Sequence, residues 1–137
     1  MIEAPRRVVV TASVVERGGC LLVTRRLEGT HLAGHWEFPG GKCEPGESPK
    51  ECLERELFEE LGVRATVHEE MYRTDYAYAD RLLDLRFFRC ELQEEPKPLL
   101  GQEILWIPRR ELKRLQFPPA DAELVERLAG EGGPPTL

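Results

Sequence analysis

The chain has 137 residues, of which 41% are hydrophobic and 32% charged, which predicts one folded domain over residues 1–137 and excludes an intrinsically disordered chain. The formal net charge of −6 makes it a poor partner for nucleic acid, and also for a free polyphosphate unless divalent cations lie between the negative charges. No apolar run approaches the roughly 20 residues that span a bilayer, and the first residues do not resemble a signal peptide, so we expect no membrane contact and a cytoplasmic location.

Strands alternate with two helices along the chain. Short β-branched or alternating apolar segments predict the strands, and Arg17-Gly18-Gly19 predicts the turn of a first hairpin. The predicted strands are 8–15, 20–26, 36–38, parts of 63–78, 82–92 and 103–107, and the predicted helices are 49–61 and 119–128. Pro39-Gly40-Gly41 predicts a sharp backbone break. We expect a folded core over about residues 8–129 and a flexible tail at 130–137.

The four cysteines, at positions 20, 43, 52 and 90, form no CxxC pair and have no histidines at zinc-finger spacing. We therefore expect four reduced thiols, without a disulfide framework or a cysteine metal site. The one locally basic run, 109–114, is predicted to be a solvated helix face, so we expect no nucleic-acid partner.

Helix 49–61 has defined signals at both ends. Ser48 is a good N-cap, Pro49 suits the first helical position, and Glu51 completes a capping box with Ser48. Gly62 lies where a C-terminal glycine ends a helix. The sequence therefore predicts a helix whose ends are set by local contacts.

Three carboxylates, Glu56, Glu59 and Glu60, project from one face of this helix. Like charges at this spacing destabilise a helix by roughly 0.2–0.5 kcal/mol per pair, and Arg55 supplies only one nearby cation. A solvated acidic face is one interpretation. The other is a Mg²⁺ or Mn²⁺ site shared with substrate phosphates, favoured by the preceding glycines, which let the backbone approach a ligand closely.

Segment 41–63, GKCEPGESPKECLERELFEELGV, resembles the Nudix box G-x5-E-x7-R-E-U-x-E-E-x-G-U, where U is aliphatic. Every specified position is filled: Gly41, Glu47, Arg55, Glu56, Leu57, Glu59, Glu60, Gly62 and Val63. The remainder, about 8–128, is similar to the MutT-like branch of the Nudix hydrolases. The similar stretches are Thr24-Arg25-Arg26, His31, Trp36 to Lys42, and Phe117 to Asp121.

This resemblance implies an α/β/α sandwich around a mixed sheet and a Mg²⁺-dependent hydrolase, with Mn²⁺ as a substitute cofactor. The implied reaction cleaves a nucleoside triphosphate into a monophosphate and pyrophosphate, and the implied role is sanitising the nucleotide pool of 8-oxo-dGTP, or of CTP or modified dCTP. The implied metal ligands are the Gly40 carbonyl, Glu56, Glu59, Glu60 and Glu103. Glu56 or Glu59 is the expected general base, although a distal glutamate such as Glu103 serves in some members.

Other box residues are expected to support the site. Arg55 is expected to orient a box glutamate, Glu47 to brace the loop, and Gly41 and Gly62 to shape the backbone. In the substrate pocket, the implied residues are Arg26, His31, Glu37, Phe38, Arg81 and Asp121.

The base-contacting residues each have an alternative role. Arg26 and Arg81 offer guanidinium groups for phosphate or a base. Phe38 or Trp36 suits base stacking or the core. Asp121 opens the last predicted helix, where its charge also complements the helix dipole. The best-known 8-oxoguanine-specific members have Asn at this position, whereas relatives acting on cytidine nucleotides and other sanitising members have Asp.

Other function classes stay open at this level. A dinucleoside polyphosphate hydrolase is typically marked by a downstream tyrosine, for which Tyr76 and Tyr78 qualify. An ADP-ribose hydrolase usually has a downstream proline, which is absent between Val63 and Glu95. A non-catalytic Nudix-like module typically lacks box carboxylates. The expected partner is a small-molecule nucleotide, and the protein is expected to be a monomer or a homodimer.

Overall fold

Most elements begin and end close to the positions that the apolar patterns predict. The computed structural model describes residues 6–131, to which all structural statements refer. Its strands are β1 (Arg6–Arg17), β2 (Cys20–Arg25), β3 (Trp36–Glu37), β4 (Gly40–Lys42), β5 (Ala65–Tyr78), β6 (Arg81–Leu92) and β7 (Ile104–Pro108). Its α-helices are α1 (Pro49–Leu61) and α2 (Ala122–Glu131), with 3₁₀ helices at Arg109–Arg114 and Pro119–Asp121. Within residues 6–131, no helix is long and apolar enough to cross a membrane.

Two segments differ from the prediction. The predicted break at Pro39-Gly40-Gly41 is confirmed only at Pro39, where the chain bends between β3 and β4; Gly40 and Gly41 form β4 and pair with β1. Residues 119–121 form a 3₁₀ turn, and α2 continues to Glu131, so residues 130 and 131 are helical and not part of a tail. The remainder of the expected tail, 132–137, lies outside the described residues.

The sheet is mixed and its central strand is β1. Strand β1 pairs in parallel with β6 from Arg6 opposite Arg81 to Val15 opposite Cys90. It also forms the predicted antiparallel hairpin with β2. The strand order is β3-β2-β1-β6-β5, with β4 paired to β1 and β7 paired to β2. The parallel pair requires a long connection, which contains β4, α1 and β5.

One helix covers each face of the sheet, which confirms the α/β/α sandwich. On one side, α1 buries Leu53, Leu57 and Leu61 against the sheet. On the other side, α2 buries the predicted stripe of Leu124, Val125 and Leu128. Because side chains alternate along a strand, β6 supplies residues to both cores.

A buried ionic cluster joins three strands near one edge of the sheet. Asp84 on β6 is fully buried and accepts hydrogen bonds from Arg7 on β1, Arg73 on β5 and Arg86 on β6. Burial raises the pKa of Asp84, but the hydrogen bonds from the three guanidinium groups outweigh it and hold the pKa at about 2. Asp84 is therefore an ionised bridge between β1, β6 and β5.

Candidate active site

Helix α1 has the ends that the sequence predicts. The Ser48 side chain accepts a hydrogen bond from the Glu51 backbone, and the Glu51 side chain accepts one from the Ser48 backbone. Gly62 adopts the left-handed conformation with φ 65° and closes the helix. These caps fix which side chains face the sheet, and so they fix the direction of the carboxylate face.

Arg55 connects the loop before α1 to the carboxylates on it. Its guanidinium donates two hydrogen bonds to Glu47, at 2.7 and 2.9 Å, one to Glu56 at 3.0 Å and one to Glu59 at 3.1 Å. It also donates to the Lys42 carbonyl. Hydrogen bonds from Arg55, and then from the backbone, lower the pKa of Glu47 to about 2. These contacts match the bracing and orienting roles expected from the sequence.

The two glycines of β4 lie close against other groups. A Cβ at Gly40 would overlap the Thr11 backbone, which cannot move aside, and a Cβ at Gly41 would overlap the Glu56 carboxylate, which would have to shift. Their φ angles are not in the left-handed region, so close approach and not an unusual dihedral angle is what glycine provides at these positions. The consequence is that the backbone of β4 lies directly beside the carboxylates of α1.

Glu60 and Glu56 are held in an environment that disfavours their negative charge. Burial is the main cause that raises the pKa of Glu60 to about 8, and the charges of Glu56 and Glu37 add to it. Burial also raises the pKa of Glu56, against the opposing effect of Arg55. A divalent cation would relieve this repulsion, and carboxylate oxygens suit Mg²⁺ or Mn²⁺. The residues present therefore fit a metal, although no three metal-binding side chains within residues 6–131 are gathered into a preformed cluster.

A cavity of about 550 Å³ begins beside these carboxylates and extends across the sheet. This volume is in the usual range for a small-molecule site. Nine of the predicted site residues line it: Arg26, His31, Glu37, Phe38, Gly40, Gly41, Glu60, Arg81 and Asp121. Because Glu60 is on α1, the cavity meets the carboxylate helix.

Asp121, Glu37 and Arg26 lie close together in the cavity. Asp121 is buried, and burial, followed by the charge of Glu37, raises its pKa to about 7. Glu37 accepts a hydrogen bond of 2.6 Å from Arg26, and burial still raises its pKa. Arg26 also donates to the His31 carbonyl at 2.6 Å, so part of its guanidinium is bound within the protein. Near neutral pH, Asp121 can therefore accept or donate a hydrogen bond.

Aromatic residues line the cavity walls. Phe38 is only 4% exposed and stacks on Phe117, so core packing accounts for most of its surface. Tyr78 lies at the end of β5, and its ring meets the edge of His31 at 5.1 Å between centroids. The sequence indicates Tyr78 only as a residue typical of dinucleoside polyphosphate hydrolases and does not predict that it lines the cavity. The signal that could have found it is alternation, which puts Tyr72, Tyr76 and Tyr78 on one face of β5.

Three predicted metal ligands, Glu56, Glu59 and Glu103, are not among the residues that line the cavity. Glu56 lies against Gly41, which does line it. Glu59 is mostly exposed and hydrogen-bonds Arg55. Glu103 precedes β7 and forms an ion pair with Arg25 at 3.5 Å. The neighbouring Gln102 is buried and donates a hydrogen bond to the Glu60 carbonyl, which holds this segment at the end of α1.

The prediction of four reduced thiols is wrong for one pair. Cys43, which follows β4, is joined by a disulfide to Cys52 on α1. Their Cα atoms are 5.2 Å apart, within the range for such a bond. The sequence could not predict this pairing, because it depends on β4 lying against α1. Cys20 and Cys90 are free.

Comparison with known proteins identifies the family to which this chain belongs. The family model described as the NUDIX domain matches residues 5–128. The chain belongs to the Nudix family. The match covers all seven strands of the sheet and the complete carboxylate helix. Nudix hydrolases generally use a divalent metal.

Two curated Nudix relatives are similar over most of their length. An 8-oxo-dGTP diphosphatase of Haemophilus influenzae is 37% identical, covering 92% of this chain and 95% of the relative. A CTP pyrophosphohydrolase of Escherichia coli is 35% identical, covering 88% of this chain and 90% of the relative. Among solved structures, the E. coli ORF135 protein superimposes with a TM-score of 0.83 at 32% identity, covering 94% of this chain and 93% of the other.

Proposed function

We propose that this Nudix hydrolase cleaves nucleoside triphosphates to the monophosphate and pyrophosphate and so sanitises the nucleotide pool. The observation that carries this proposal is one cavity that is lined both by Glu60 of the box helix and by buried Asp121. The two curated relatives, an 8-oxo-dGTP diphosphatase and a CTP pyrophosphohydrolase, support a triphosphate substrate. The proposed substrates are therefore 8-oxo-dGTP, and CTP or modified dCTP.

In this proposal, the edge of the nucleotide base lies in the cavity and contacts Asp121. An ionised Asp121 accepts a hydrogen bond from an exocyclic amine, and a protonated one also donates to a base carbonyl. Its raised pKa makes both forms available near neutral pH. Glu37 and Arg26 lie beside it as a pair, and Phe38, His31 and Tyr78 form apolar or aromatic walls. A base enclosed in this way is selected by its hydrogen-bonding edge, because an unpaired buried polar group is costly.

The Mg²⁺ would be held beside the triphosphate by five groups: Glu56, Glu59, Glu60, Glu103 and the Gly40 carbonyl. When bound, the metal neutralises the triphosphate charge and lowers the pKa of water. One carboxylate must accept the proton of the attacking water, and we assign this role to Glu56 or Glu59. Arg55 positions both carboxylates, and Arg81 faces the substrate from the end of the β5–β6 hairpin.

The test is a hydrolysis assay with Mg²⁺ over dGTP, 8-oxo-dGTP, CTP, dCTP, 5-methyl-dCTP, ADP-ribose and Ap4A. The products are identified by chromatography, because ADP-ribose and Ap4A release no pyrophosphate when they are cleaved. We expect 8-oxo-dGTP or a cytidine triphosphate to have the highest kcat/KM, with pyrophosphate as the product. If only Ap4A or ADP-ribose is cleaved, the triphosphate proposal is wrong. If nothing is cleaved although nucleotides bind, the chain is a non-catalytic module. The proposed location is the cytoplasm, which contains these nucleotides, and the oligomeric state, monomer or homodimer, stays a prediction.

A further inference from the structure

The Cys43–Cys52 disulfide links the two segments that form the carboxylate site. Cys43 directly follows β4, whose Gly40 and Gly41 contact the α1 carboxylates, and its backbone N–H donates to the Val9 carbonyl at 2.9 Å. Cys52 is fully buried in the first half of α1, one turn before Glu56. The covalent bond therefore fixes the position of the glycine backbone relative to the helix.

The buried sulfur lies directly against the backbone of the site. The Thr11 hydroxyl is 3.3 Å from the Cys52 sulfur and donates a hydrogen bond to the Gly41 carbonyl at 3.5 Å. Gly41 in turn contacts the Glu56 carboxylate. A displacement of the sulfur would thus be transmitted to Glu56 through Thr11 and Gly41.

Solvent reaches this pair from one side only. Cys43 is partly exposed and lines a second cavity of about 460 Å³, together with the loop from Glu44 to Glu47. Cys52 is shielded completely. A small oxidant or a thiol therefore meets Cys43 first, and Cys52 is placed to resolve the product. Cys90, by contrast, is buried, and burial raises the pKa of its thiol to about 12, which suppresses its reactivity.

We propose that Cys43 and Cys52 form a reversible oxidation site, at which a hydroperoxide closes a disulfide that holds β4 against the carboxylate helix. The Cys43 thiolate attacks a peroxide oxygen and becomes a sulfenic acid, releasing water or an alcohol. The Cys52 thiol then attacks the Cys43 sulfur and expels water, so two thiols lose two electrons and one peroxide is reduced. A dithiol reverses the step and is itself oxidised to a disulfide.

The consequence is a metal site that keeps its shape under oxidising conditions. Because the bond spans nine positions, it limits the unfolded chain and raises the Tm of the oxidised protein by roughly 5–10 °C. Because β4 no longer has to be ordered on the helix, Mn²⁺ binds about threefold more tightly, a gain typical of one preorganised group. The Mn²⁺ effect rests on the proposed metal site, whereas the Tm effect does not.

The experiment compares the full-length protein after treatment with hydrogen peroxide and after treatment with dithiothreitol. We expect the number of free thiols to fall from four to two, with the bond mapped to Cys43 and Cys52 by peptide mass spectrometry. We expect the Tm and the Mn²⁺ affinity, measured by titration without nucleotide, to rise with oxidation and to return with dithiothreitol. These measurements need no substrate, so a failure of the proposed hydrolase activity would leave them unchanged.

Two cysteine variants make the test specific. Cys43→Ser keeps the size of the side chain and should lose the redox-dependent Tm shift, whereas the matched control Cys20→Ser should keep it. The proposal is overturned if peroxide leaves all four thiols free, if Cys43→Ser keeps the shift, or if the bond forms without a change in Tm. An unchanged Mn²⁺ affinity would overturn the link to the metal site.

Discussion

Replacing Gly41 by alanine tests the position of Glu56 without removing its carboxylate. The new Cβ would overlap the Glu56 carboxyl group, which must retreat by roughly 1 Å to regain ordinary van der Waals distance. The backbone of Gly41 is not left-handed, so alanine introduces no backbone strain. A displacement of this size in a catalytic group costs about 100-fold in rate, equivalent to roughly 2.7 kcal/mol of transition-state stabilisation.

The assay is kcat/KM for the best triphosphate at saturating Mg²⁺, measured together with Tm. We expect the loss to fall mainly on kcat, because the base end of the cavity is remote from Gly41, and we expect the folded state to persist. The matched control is Gly130→Ala, a helical glycine with open space around it, which should retain wild-type activity. Activity within threefold of wild type in Gly41→Ala would refute the requirement for Glu56 at its observed position.

Three further predictions concern single side chains. Glu59→Gln should remove most activity while Tm stays within a few degrees, because a proposed ligand is lost without a volume change; near-normal turnover in the steady-state assay would contradict the assignment. Asp121→Asn should change the ratio of kcat/KM values between bases by roughly 10-fold, more than it changes the overall rate, and an unchanged substrate ranking would leave Asp121 with only a helix-terminal role. Asp84→Asn should lower the free energy of unfolding by about 3–5 kcal/mol in urea at neutral pH, because three arginines lose their buried anion. In the wild-type protein, the stability that Asp84 contributes should be lost only as the pH drops from about 4 towards 2, because the pKa of Asp84 is lower in the folded than in the unfolded state. A loss that is already complete at pH 5 would contradict this.

Local chemistry accounts for what the sequence predicted best. Helix α1 begins at Pro49 and ends at Leu61 as predicted, because its capping box and its C-terminal glycine act over only three or four residues. The same helical periodicity puts Glu56, Glu59 and Glu60 on one face, whatever the rest of the chain does. The β1–β2 hairpin was predicted for a similar reason, since Gly18 and Gly19 supply its turn.

Contacts between distant residues explain what the sequence left undecided. The sequence predicted a turn at Gly40 and Gly41 because glycine is common in turns, but β1 supplies the partner that makes this segment a strand. Tyr78 and His31 are far apart in the chain and meet only across the mouth of the cavity. Asp121 gains its raised pKa from burial beside Glu37, which no sequence pattern encodes.

By itself, the sequence determined the family motif, the carboxylate helix and its caps, and nine of the residues that line the cavity. The tertiary structure decided which of these residues meet. It alone brought Asp121 and Glu60 into one cavity, and it alone joined Cys43 to Cys52. The physical reason is range: caps and helix faces depend on neighbours within one or two turns, whereas strand pairing, burial and disulfide geometry depend on how the whole sheet is assembled.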